Sequence, residues 1–139
     1  MKKKFLAVVL GAAMTLSMAA CGAGDSKSST ESGSKSGSDF KVGIVLDVGG
    51  VNDGSFNQTS WEGLEKAEKE LGIKASYLES DSDGDYAANI ENFIDDDCDL
   101  IICVGYMLAD ATKTAAEENP DQKFAIIDDA TIDLDNVAC

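Results

Sequence analysis

Histidine is absent from this 139-residue chain. Without an imidazole, Ser-His-Asp and Cys-His nucleophilic catalysis are excluded and the commonest zinc ligand is missing. Basic residues are scarce as well: Lys and Arg total 11 against 26 Asp and Glu, for a formal net charge of −15. Nucleic-acid binding rests on cations that neutralise phosphates, so this balance argues against it. It argues equally against an electrostatic hold on anionic lipid headgroups. Nucleotide motifs are lacking too: Gly49-Gly50 and Gly54 are spaced GGxxxG instead of GxGxxG, and no Walker lysine pattern occurs. Residues 81–85, DSDGD, begin like a calcium loop. An EF-hand would need Gly at the place of Tyr86 and Glu at the place of Asn92, so Asp83 and Asp85 are read as caps of a following helix. No metal and no cofactor are expected.

What is present begins at the N-terminus. Lys2, Lys3 and Lys4 precede an apolar stretch, 5–16, too short for a comfortable membrane span. Ser17-Met18-Ala19-Ala20-Cys21 follows, the layout of a secretory signal with small residues before a cleavage point. The Cys directly after Ala-Ala resembles the lipobox of bacterial lipoproteins, where cleavage precedes the Cys and its thiol takes a diacylglycerol. Residues 1–20 are therefore read as a lipoprotein signal peptide. Residues 21–39, nearly all Ser, Gly, Lys and acid after Cys21, have nothing to bury and read as a tether. Residues 40–139 form the folded body, and the expected placement is extracytoplasmic, lipid-anchored on the cell membrane.

In the body, strand-like and helix-like stretches alternate. KVGIVLD (41–47) has the composition of a buried parallel strand. From Ser55, with Gln58 at capping-box spacing, a helix carries Phe56, Trp61, Leu64, Ala67 and Leu71 near one face and stops at Gly72. Strands are expected at 73–80, 98–105 and 123–129, and a fifth starting at 136. Helices are expected at 85–95 and 107–118, the last ended by Asn119-Pro120 with Met107, Leu108, Ala111 and Ala115 inward. This alternation predicts an α/β doubly wound parallel sheet. Cys98 and Cys103 fall on opposite sides of the third strand as buried packing residues.

Ligands of such sheets gather at the carboxyl ends of the strands. Those ends are 47–57, 79–81, Gly105-Tyr106 and Asp128-Asp129. The corner VNDGSFNQTSW (51–61) thus sits on that rim, where Phe56 offers a flat apolar face and Asn57 and the carboxylates offer hydrogen bonds. From the residues alone, Phe56 packing inward and Ser55 merely capping is an equal alternative.

VGIVLDVGGVNDGSFNQTSWEGLEKAEKELGI and LIICVGYMLADATKTAAEENPDQKFAIIDD resemble the basic membrane protein family of bacterial lipoproteins. The resemblance implies a type I periplasmic-binding-protein fold, of which this chain matches most of the N-terminal lobe. It also implies capture of a purine nucleoside for an ABC transporter permease, with no enzymatic activity. By the same resemblance Phe56 stacks on the purine, and Asn57, Asp47 and Asp128 make polar contacts, with Asp129 as the alternative to Asp128. The second lobe's contacts are not in the chain, which is expected to be a truncated piece of a longer protein.

The same residues admit other readings. Riboflavin or another small molecule is a ligand alternative within the family, and a surface antigen without a transport ligand is an alternative of another class. A receiver-like phosphorylation domain fits Asp47 and Asp128-Asp129, but export separates it from ATP-dependent kinases. A nucleoside hydrolase needs clustered Asp ligands for calcium, and Asp47 and Asp53 stand apart across two glycines.

Overall fold

The computed structural model describes residues 39–139. The signal peptide, Cys21 and nearly all of the tether lie outside the described residues. Strand β1 (Lys41–Val45) leads to helix α1 (Phe56–Leu71), then β2 (Lys74–Leu78), α2 (Tyr86–Asp95), β3 (Leu100–Val104), α3 (Ala109–Glu118), β4 (Phe124–Ile127) and β5 (Val137–Ala138). All pairings are parallel, in the order β2-β1-β3-β4-β5. The expected alternation and the doubly wound sheet are both present.

Side-chain alternation along the strands divides the core into two layers. Val42, Ile44, Leu46 and Val104 pack beneath Leu64 and Trp61 of α1. Val45, Ile101, Cys103, Phe124 and Ile126 face Tyr86, Ile90 and Phe93 of α2, Leu108 just before α3, and Ala115 and Ala116 of α3. Gly43 is the gap in this pattern: a Cβ there would stand 2.4 Å from Phe93 Cγ, so the missing side chain is what admits the phenyl.

Four expectations are corrected. Leu71 and Met107 are exposed instead of inward: Leu71 is the last residue of α1, and Met107 sits in a 3-10 turn, Tyr106–Leu108, before α3 begins. Cys98 and Cys103 belong to the same core layer, not to opposite ones. The strand starts only at Leu100, and Asp97, at φ 55°, turns the chain beforehand, so strand parity does not apply to Cys98. The capping box from Ser55 to Gln58 is not formed; the cap comes from the Asp53 carboxylate.

Candidate functional site

The strand order reverses between β1 and β3, since the chain steps outward from β1 to β2 and then back across to β3. The carboxyl ends of these two strands flank the crevice where doubly wound sheets hold ligands. Asp47 stands at that point. Its Oδ1 accepts hydrogen bonds from the Gly49 N–H at 2.8 Å and the Asn57 Nδ2 at 2.6 Å. Its Oδ2 faces the start of the β3–α3 turn, where a Cβ on Gly105 would come within 3.2 Å. Gly105 also has φ 99°, a backbone state that favours glycine.

The loop from Asp47 to α1 is held by carboxylates. Asp53 Oδ1 accepts from the N–H groups of Ser55 at 2.8 Å and Gln58 at 3.0 Å, and its Oδ2 accepts from that of Asn57 at 3.2 Å. These bonds, that to Gln58 first, hold the Asp53 carboxyl below its ordinary 3.8. Ser55 makes no side-chain cap bond, and Gln58 turns to Glu62 instead. Glu79, beyond β2, accepts from the Val51 N–H at 2.7 Å and ties the loop to the neighbouring strand end.

Phe56 opens α1 and is 55% exposed. Its ring borders a cleft of about 380 Å³ with Ser55, Thr59, Ser60 and Ile127. Asp128 follows Ile127 immediately and has φ 66°, in the left-handed region that a non-glycine residue rarely adopts. Asp129 is turned to its own loop, accepting from the Thr131 N–H and hydroxyl at 2.8 Å. Asp128, not Asp129, is thus the carboxylate without a local side-chain hydrogen bond among the described residues. Asn57 is different from the expectation of an open contact. It is fully buried, gives its Nδ2 to Asp47, and its Oδ1 has no hydrogen-bond partner among the described residues.

The structure therefore joins Asp47 to Asn57 directly and sets Phe56 beside the strand that ends at Asp128. Sequence reasoning missed Asp53 and Glu79 as anchors of the loop. It also missed Tyr86, buried at the head of α2 with no partner for its hydroxyl in hydrogen-bond geometry. Burial, and then the nearby Asp83, raise that phenol above its ordinary value. Of the large apolar side chains that are exposed, Val48, Phe56, Tyr106 and Met107 all lie on this rim. A roomier concavity, about 550 Å³, lies by the amino ends of β3 and β4 around Cys98 and Gln122. That is the wrong end of the sheet for the crevice.

A parallel sheet with rings and hydrogen-bonding groups gathered at its switch point has the layout of a ligand-binding α/β lobe. Among solved structures it is similar to an ABC transporter system solute-binding protein from Aeropyrum pernix K1, with a TM-score of 0.65 and 32% identity, covering 70% of this chain and 27% of that one. The fold is that of the periplasmic solute-binding proteins of ABC transporters. Residues 40–139 match the Bmp family, ABC transporter substrate-binding protein PnrA-like, and the chain belongs to this family of solute binders. It is 41% identical over 143 residues to a CD4+ T-cell-stimulating antigen of Listeria innocua, covering 99% of this chain and 40% of that protein. It is 37% identical over 142 residues to the ABC transporter nucleoside-binding protein BmpA of Lactococcus lactis, with the same 99% and 40% covered. The chain spans about two fifths of the length of these curated relatives.

Proposed function

We propose that this chain forms one wall of the cleft of a lipid-anchored receptor that captures a purine nucleoside outside the cell membrane and passes it to an ABC permease. The observation that carries this reading is Phe56. A ring left 55% exposed at the head of a helix whose Leu64 is buried is not core packing. Its position, beside a cleft and next to the Asp47–Asn57 pair, suits a flat heterocycle whose edges bear donors. The charge of the rim disfavours an anionic ligand. The chain has no arginine, and its described lysines lie at strand starts (Lys41, Lys74), just before one (Lys123) or within helices (Lys66, Lys69, Lys113). The name of the Lactococcus lactis relative supports the ligand class.

The test is calorimetric titration with guanosine, inosine and adenosine, on a chain extended to the length of the relatives. Stacking on a base contributes roughly 1–3 kcal/mol, so Phe56→Ala should weaken binding about ten- to a hundredfold per folded molecule. Phe56→Tyr keeps the flat face and should cost far less. Asp47→Asn and Asp128→Asn should change the preference among nucleosides and free bases. Unchanged affinity in Phe56→Ala removes the stacking role. The antigen name of the Listeria innocua relative favours a second reading, a surface antigen without a transport ligand. That reading forecasts no heat with any nucleoside.

A further inference from the structure

We propose that the β1–α1 corner discriminates against phosphorylated and other anionic ligands, because its own carboxylates already hold the amide donors that a phosphate would need. The inference rests on the rim being the ligand site. In doubly wound folds the first strand-to-helix turn and the helix N-terminus present N–H groups to phosphate. Here those donors are engaged one after another. Gly49 N–H goes to Asp47 and Val51 N–H to Glu79. Ser55, Asn57 and Gln58 N–H go to Asp53, and Gly50 N–H goes to the Asp47 carbonyl.

What the corner retains is acceptor capacity. Asn57 Oδ1 is buried with no donor, a costly state that a donor-bearing neighbour relieves. An incoming phosphate would find the Ser55, Asn57 and Gln58 N–H groups already taken, no cationic side chain between residues 47 and 61, and the negative charge of Asp53 already seated where its own would go. Hydroxyl, amine or ring N–H groups meet no such barrier. Asp53 is accordingly a specificity-determining residue: an internal anion that fills the phosphate position.

The experiment follows the backbone amides of residues 55, 57 and 58 by ¹⁵N–¹H spectra of this chain. Inorganic phosphate is titrated against sodium chloride of equal ionic strength. In the native chain these amides should move no more with phosphate than with chloride. In Asp53→Ala they should shift saturably, with an apparent phosphate affinity at least about tenfold above native, since charge-assisted N–H bonds become available. Asp53→Asn keeps the side-chain volume and a neutral acceptor, and should gain a smaller response; it decides the matter if Asp53→Ala loses helix α1. Saturable phosphate shifts in the native chain as strong as in the variants would overturn the proposal. So would folded variants as insensitive as native. Because the amides report phosphate directly, this outcome is separable from failure of the nucleoside reading, which the calorimetry tests alone.

Discussion

Asp53 is exposed, yet three backbone donors converge on it, and they keep its carboxylate form favoured in the folded chain. A carboxyl with a depressed folded pKa adds stability in full above its unfolded value, and loses that contribution as pH falls through the folded one. Asp53→Ala should therefore unfold at lower urea than native at neutral pH, and the gap should close as pH drops below 3.8. An equal gap on both sides of that range would show that the carboxylate bonds are not its source. Cys103 shows the opposite influence of surroundings. Full burial pushes its thiol up to about 12 and leaves it a packing residue. The presence of Phe56, Asp47 and Asp128 on the rim was legible from their positions at strand ends. That Asn57 is spent on Asp47 was not, because a buried side-chain pair ten residues apart has no local pattern.

Helices and strands were legible because their causes are local: apolar runs of strand length, helical spacing of Ile90 and Phe93, and the stop at Gly72, which adopts φ 70°. Their ends were less so. Tyr106–Leu108 tightens into a 3-10 turn, which rotates Met107 out of the face that a continuous helix would give it. Edge strand β2 shows how neighbouring elements cooperate. The Ala75 N–H is taken by Glu68 of α1 at 3.1 Å, and Trp61 meets Tyr77 edge-on with ring centroids 4.8 Å apart. Both cover an edge that would otherwise offer unpaired backbone groups. The β1–α2 contact yields a sharper prediction. Gly43→Ala drives a methyl into the Phe93 ring, whose centre cannot swing aside as a chain end would. Overpacking of this kind costs about 1–3 kcal/mol. Urea unfolding should show that loss as a lower midpoint at unchanged slope, and a native midpoint would mean that α2 shifts freely.

On the scale of the molecule, the rim is acidic and holds no lysine. Asp47, Asp53, Glu79 and Asp128 crowd it, while Lys41 and Lys74 begin strands and Lys123 precedes one at the far end, where Asp97, Asp99 and Asp121 also lie. The proposed lipid anchor also belongs to this scale. The Lys-rich start, the short apolar stretch and Cys21 predict that a palmitate analogue labels the native product in cells. Cys21→Ser should abolish the label and release the protein from the membrane fraction; a label that survives the change excludes lipidation at Cys21.

The sequence by itself determined the class of the sheet, the position of the rim and the acidity of its residues, because periodicity, strand breaks and composition act over a few neighbours. Only the tertiary structure decided which carboxylate meets which donor. Glu79 reaches the Val51 N–H across 28 residues because β2 lies directly beside β1. Asp47 faces Gly105 because β3 pairs with the other side of β1. Such partnerships arise from strand order, and strand order follows from burying both faces of the sheet at once, a condition that no short stretch of chain records.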